Sequence, residues 1–136
     1  MVRDIVKDVL FLGQKSVPAT KDDLHIATDL QDTLRANHDK CVGMAANMIG
    51  YHKNIIIVSV GFVDMVMINP VIKSKSKPYQ TEEGCLSLLG VRPVTRFENI
   101  TVEYEDCTFK KHVQTFNGWT AQIIQHEVDH CNGIII

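Results

Sequence analysis

The sequence predicts an α+β fold: an N-terminal helix, a middle of antiparallel or mixed β-sheet, and a C-terminal helix. Three observations carry this expectation. Residues 20–37 place apolar side chains at helical spacing, residues 54–69 and 100–104 contain β-branched runs, and the last dozen residues hold an H-E-x-x-H. Helix, strands and helix in that order fit α+β better than a wound parallel sheet, in which strands and helices alternate. No internal repeat, low-complexity segment or linker interrupts the pattern, so residues 1–136 are expected to form a single domain.

Thr20-Lys21-Asp22-Asp23 reads as a helix start, with Thr20 capping and Asp23 in the first turn. Leu24, Ala27, Leu30, Gln31 and Leu34 follow at helical spacing, which predicts a helix of about fifteen residues reaching Asn37. Asn54 to Val60 is dominated by β-branched residues and reads as a buried strand. After Gly61, Val63 to Asn69 reads as its neighbour, with Pro70 ending or edging it because proline cannot donate to a ladder. Lys73-Ser74-Lys75-Ser76-Lys77 is expected in a solvated strand edge or loop. Ile100-Thr101-Val102-Glu103-Tyr104 alternates as a half-buried strand does. Phe116-Asn117-Gly118 then leads into the C-terminal helix, where Trp119 shares a face with Ile123 and is expected in the core.

Composition excludes several classes. A chain of 136 residues with 45% hydrophobic content can bury a core without disulfides. Four cysteines with no C-x-x-C and no regular spacing do not form a secreted disulfide framework. Sixteen acidic and fourteen basic residues, net −2, give no reason to expect direct nucleic-acid binding. The N-terminus Met1-Val2-Arg3-Asp4-Ile5-Val6-Lys7-Asp8 is too charged for a signal peptide, and no apolar run approaches membrane length. A cytoplasmic protein with no membrane partner is expected.

The chemistry concentrates at the end of the chain. Residues four apart on a helix share a face, so His126 and His130 can bind one metal ion, with Glu127 beside it to take a proton from bound water. A third ligand is needed. Gly133 fits the longer H-E-x-x-H-x-x-G-x-x-H pattern, but its last histidine position is Ile136, so the third ligand must lie upstream. Cys131 follows His130 directly and points roughly 100° away around the helix. His25, His38, His52 and His112 lie in polar surroundings and read as surface residues, and Cys107 falls at a strand end or turn. Cys85 sits in an acidic, glycine-containing turn, Glu82-Glu83-Gly84-Cys85-Leu86-Ser87, and is the strongest candidate. Chemistry alone leaves the alternatives open, since a lone cysteine is usually a small buried hydrophobe.

Three separated segments together resemble the peptide deformylase family, metallohydrolases whose motifs are G-x-G-x-A-A-x-Q, E-G-C-L-S and H-E-x-D-H. The chain has Cys41-Val42-Gly43-Met44-Ala45-Ala46-Asn47-Met48-Ile49-Gly50, then Glu83-Gly84-Cys85-Leu86-Ser87, then His126-Glu127-Val128-Asp129-His130. The second and third motifs match in full, in the family's order, and the resemblance runs over nearly the whole chain.

The resemblance implies a hydrolase that removes the N-formyl group from N-formylmethionyl peptides, with nascent chains at the ribosome as its substrates. Cys85, His126 and His130 would hold one divalent metal ion. Fe²⁺ would be native, with Zn²⁺, Ni²⁺ or Co²⁺ as possible occupants. Glu127 would move the proton, the Leu86 backbone N–H would bind the oxyanion, and Arg96 would pair with Glu83 to hold the Cys85 segment. Gly43 would let an extended substrate backbone approach closely; read from the residue alone, a tight turn serves equally well.

The first motif departs from the family. Cys41 replaces its first glycine, and Met48 replaces the glutamine whose side-chain amide donates to the oxyanion. Methionine offers a weak acceptor sulfur and no donor. Asn47 stands one position early and would point about 100° away on a helix start. Loss of one oxyanion donor costs about 10²–10³ in kcat. A deformylase-like binding protein with little turnover is therefore the alternative function, and a hydrolase of another small N-acyl substrate is a third.

Overall fold

Asp8 opens the structure's first ordered turn, accepting from the Leu10 N–H at 2.9 Å and capping a one-turn helix, α1 (Val9–Leu12). This computed structural model describes residues 1–85 and 88–134. Leu86, Ser87 and the last two residues lie outside that set, so the expectation placed on the Leu86 N–H falls outside the described residues. Thr20 marks the next helix start as expected, its N–H donating to Asp23 Oδ2 at 2.9 Å. A 3₁₀ turn over Lys21–Asp23 leads into α2 (Leu24–Ala36). Leu30 and Leu34 on its inner face are fully buried, as their spacing requires.

Five strands follow: β1 (Gly43–Ala45), β2 (Ile55–Val60), β3 (Val63–Cys85), β4 (Leu88–Glu105) and β5 (Lys111–Asn117). They form one sheet in the order β1-β2-β3-β4-β5, with every named pair antiparallel. Between β1 and β2 a 3₁₀ turn, Ala46–Ile49, ends at Gly50, whose φ of 100° only glycine adopts readily. The C-terminal helix, α3 (Gly118–Cys131), starts after Asn117.

The unbroken apolar run of β2 has a direct cause: both of its faces are covered. Ile55 and Ile57 pack with Leu30 and Leu34 in one core cluster. Ile56 and Val58 pack with Ile100, Ile124 and Val128 in the other. The sheet thus lies between α2 and α3, an α+β arrangement. In β4 the predicted alternation holds, with Ile100, Val102 and Tyr104 buried while Thr101 and Glu103 are partly exposed.

Two local expectations need correction. Pro70 does not end its strand; β3 runs through it with a register shift between Ile68 and Val71, where a bulge removes the need for the missing N–H. Lys73 to Lys77 fit the expected solvated strand edge: they lie on β3 and pair with β4 by a register that includes Lys75 to Ile100, while β2 pairs β3 only over Val63 to Ile68. All five are exposed. Glu82 to Cys85 likewise lie on β3 and not in a turn, with Glu83 opposite Arg92. The long β3–β4 hairpin therefore carries Glu83 and Cys85 across to α3. No helix is long and apolar enough to cross a membrane among the described residues.

Candidate metal centre

His126 and His130 stand one turn apart on α3, and their Nε2 atoms face each other at 3.0 Å. The end of β3 brings Cys85 to them. The ligand atoms of Cys85, His126 and His130 all lie within 4.8 Å of one another. One thiol and two imidazole nitrogens converging at this spacing match the donor set and size of a first-row divalent ion such as Zn²⁺ or Fe²⁺. Cys107 is exposed and outside this group, and Cys131 is buried in the core beside Ile124.

A buried polar frame orients the histidines. His126 Nδ1 meets Glu83 Oε1 at 2.8 Å, which leaves Nε2 for a ligand. Arg96 holds Glu83 through Nη2 at 2.6 Å and Nε at 3.0 Å, so the expected Glu83–Arg96 pair is present. The same guanidinium reaches Asp129 Oδ2 through Nη1 at 2.6 Å. Gln122 Nε2 donates to Glu83 Oε2 at 2.9 Å, and the Tyr79 hydroxyl donates to Gln122 Oε1 at 3.2 Å. Burial alone would raise the Glu83 carboxyl, but hydrogen bonds from His126, Arg96 and Gln122 bring it down to about 2. Burial above all holds the His130 imidazole well below its ordinary range. His130 is thus kept neutral, the form that can ligate.

Glu127 is buried between these elements, and burial pushes its carboxyl up to about 7. Among the described residues its Oε1 has no hydrogen-bond partner. Its Oε2 lies against Gly43, where a Cβ would stand 3.0 Å from that oxygen. A carboxylate with one free oxygen and a pKa near neutrality can take up and release a proton at working pH. It also lines a cavity of about 440 Å³ together with Gly43, Met48, Cys85, Ile123 and His126.

Met48 is buried in the cavity wall at the position where the family pattern has glutamine. Asn47 cannot stand in for the missing donor in this arrangement. Its Nδ2 is turned away, donating to the backbone carbonyls of His130 at 3.0 Å and Leu12 at 3.3 Å. Cys41 also lines the cavity, and burial pushes its thiol up to about 11, so it is neutral at physiological pH.

Trp119 departs from expectation. It was expected in the core beside Ile123, yet it is 61% exposed while Ile123 is buried, and both line the cavity. It stands in the first turn of α3. His38 is exposed as expected, pairs with Asp64 at 2.9 Å and lines the cavity as well. The roles of Gln122 and Asp129 were not foreseen. Gln122 could have been found from its spacing, one turn before His126 on the same helix face. Asp129 stands inside the H-E-x-D-H motif itself.

The chain is similar to known proteins over its whole length. The sequence profile described as polypeptide deformylase matches residues 2–136. The peptide deformylase of Clostridium beijerinckii is 60% identical over 136 residues, covering 100% of both chains. That of Pelotomaculum thermopropionicum is 42% identical over 99 residues, 72% of this chain and 64% of the relative. Among solved structures, the Met-Ala-Ser-bound class I type b peptide deformylase of Acinetobacter baumannii superposes with a TM-score of 0.89 at 30% identity. That match covers 99% of this chain and 97% of the other. Two intact motifs, the sheet that joins them and a likeness that spans the full length lead to one assignment: the chain belongs to the polypeptide deformylase family.

Proposed function

We propose that this chain is a metal-dependent hydrolase that removes the N-formyl group from N-formylmethionyl peptides and releases formate. The observation that carries the reading is the convergence of Cys85, His126 and His130 beside Glu127, whose Oε1 is unpartnered among the described residues. A divalent ion held by those three side chains would act as a Lewis acid and lower the pKa of a coordinated water. Fe²⁺ is the proposed native ion, with Zn²⁺, Ni²⁺ or Co²⁺ able to take the same thiolate–imidazole set.

The remaining work belongs to the chain. Glu127 accepts a proton from the attacking water at Oε1 and later delivers one to the departing amine, a task suited to a carboxyl raised to about 7. Glu83, held by Arg96 and Gln122, fixes the His126 ring. The absence of a side chain at Gly43 leaves Glu127 Oε2 its place, since a Cβ there would stand 3.0 Å from that oxygen. The E-G-C-L-S match assigns an oxyanion donor to the Leu86 N–H. Cytoplasmic nascent chains at the ribosome are the proposed substrates, a reading that rests on the family resemblance.

A second reading is favoured by Met48, a buried residue without a donor in the cavity wall. It makes the chain a metal- and peptide-binding relative with little turnover. Formate release from formyl-Met-Ala-Ser, measured anaerobically with Fe²⁺ supplied, separates the two. Robust turnover removes the binding-protein reading, and absence of turnover with intact metal binding overturns the enzymatic one.

A further inference from the structure

The two histidines of the metal centre are held unequally. Glu83 orients the His126 ring through Nδ1 at 2.8 Å. The His130 ring has no such brace: among the described residues its one hydrogen-bond partner is the His126 Nε2 that it faces. Its position therefore follows from the backbone that carries it. That backbone lies in the last turn of α3, where a helix leaves its own carbonyls open and its end frays. A ligand in such a place needs a brace from outside the helix.

The brace comes from the turn that carries Met48. Asn47 Nδ2 donates to the His130 carbonyl at 3.0 Å and to the Leu12 carbonyl at 3.3 Å. The two carbonyls decide which end of the amide faces them, because the amide oxygen would be repelled there. Asn47 is itself firmly seated. Ala46 to Ile49 are all buried, and the Val6 N–H donates to the Met48 carbonyl at 2.8 Å. Asn47 Oδ1, by contrast, is buried with no partner among the described residues. An unpaired buried acceptor is costly, so packing does not account for an asparagine here, whereas donation by its nitrogen does. The family pattern leaves this position open, between its second alanine and its glutamine, so the brace belongs to this chain's own sequence. Given the metal site proposed above, on which this rests, we propose that Asn47 is a positioning residue for His130, fixing the last turn of α3 against the turn that carries Met48.

The test follows Co²⁺ binding to the full chain, by chelator competition for affinity and by the visible d–d spectrum for ligand geometry. Asn47→Leu keeps the side-chain shape, removes both donated hydrogen bonds and also removes the unpaired oxygen. Its metal-free melting temperature should therefore stay within about 3 °C of wild type. Its Co²⁺ affinity should fall about 10-fold, with an altered spectrum, because His130 no longer meets the ion in one fixed geometry. Ser16→Ala is the control. Ser16 is also buried at this helix end, but its Oγ has no partner among the described residues, and its N–H, which donates to the Cys131 carbonyl at 2.8 Å, is retained. This control should match wild type in affinity and spectrum. If Asn47→Leu does not fold, Asn47→Thr is measured in its place, since its hydroxyl is too short to reach the His130 carbonyl and the same loss is expected. Wild-type affinity and spectrum in the Asn47 variant, or an equal change in Ser16→Ala, would overturn the positioning role alone. So would a melting temperature that falls together with the affinity while the spectrum stays unchanged. A wild-type chain that binds no Co²⁺ would overturn the metal site and the positioning role with it.

Discussion

Gly43 and Glu127 are in contact across the cavity: a Cβ on Gly43 would lie 3.0 Å from Glu127 Oε2, 3.0 Å from the Ile57 carbonyl oxygen and 2.9 Å from Ile123 Cγ2. Two of those neighbours cannot move freely, since Ile57 O is backbone in the sheet and Ile123 is buried in the core. The glycine is required for space, not for its backbone angle. Gly43→Ala should destabilise the fold by about 1–3 kcal/mol through overpacking and lower activity by displacing the Glu127 carboxylate. Thermal unfolding and formate release measured side by side check this. A variant with wild-type stability and activity would show that the cavity wall relaxes and that the contact has no consequence.

Ligand and proton carrier can be separated by two substitutions. Cys85 contributes one of three converging ligand atoms, so Cys85→Ala should lose most of its bound metal, whereas Cys107→Ala, at an exposed site outside the group, should not. Glu127→Gln keeps the shape beside Gly43 and all three ligands, so metal content should remain. Its formate release should fall by about 10²–10⁴ because the proton can no longer be taken. Retained stoichiometry in Cys85→Ala with loss in Cys107→Ala would move the ligand assignment. Unchanged turnover in Glu127→Gln would move the proton to another group.

The frame around Glu83 sets a pH dependence with a definite sign. Its carboxyl is held at about 2 against an ordinary 4.5, because hydrogen bonds from His126, Arg96 and Gln122 outweigh burial. A carboxylate with a depressed folded-state pKa contributes stability that is present above its unfolded value and is lost as pH falls toward the folded one. Melting temperatures of the chelator-treated wild type should therefore drop steeply as pH falls from 4.5 toward 2. Glu83→Gln, starting less stable, should show a shallower decline over the same window. Parallel curves for the two proteins would mean that other carboxylates dominate acid unfolding.

Much of this site was legible in the sequence because its pieces are local. His126, Glu127 and His130 needed only helical spacing, and the E-G-C-L-S and H-E-x-D-H matches supplied Cys85, Glu83 and the family. What the sequence hid was long-range. Arg96 reaches Glu83 only because the β3–β4 hairpin sets Tyr79 opposite Arg96 and continues to Glu83, a register that no local pattern states. The length of that hairpin is not legible either: Pro70 reads as ending or edging its strand and Lys73–Lys77 as a solvated strand edge or loop, whereas β3 continues through a register shift at the proline into an exposed edge paired with β4. Trp119 was misjudged because shared helix face with Ile123 was taken as burial. Ile123 joins a core cluster and Trp119 stays 61% exposed, a difference of tertiary packing that spacing on one helix cannot state.

Met48 tests whether the divergent first motif matters. The thioether fills the cavity wall and cannot donate a hydrogen bond, while the adjacent Asn47 amide is committed to the carbonyls of His130 and Leu12. If the oxyanion here lacks one donor, Met48→Gln should restore it at similar side-chain length and raise kcat/KM, by up to about 10²-fold when that hydrogen bond is the whole deficit. The gain is smaller where Cys41, the other departure in the motif, has reshaped the same wall. Buried polar atoms must also be satisfied, so the variant should lose a little stability in the absence of substrate. A large increase marks the chain as a deformylase with an incomplete oxyanion hole. No increase in an already active protein means that another donor fills the position and that Met48 is a packing residue. No activity in either protein, with metal bound in both, favours the binding-protein reading over the enzymatic one.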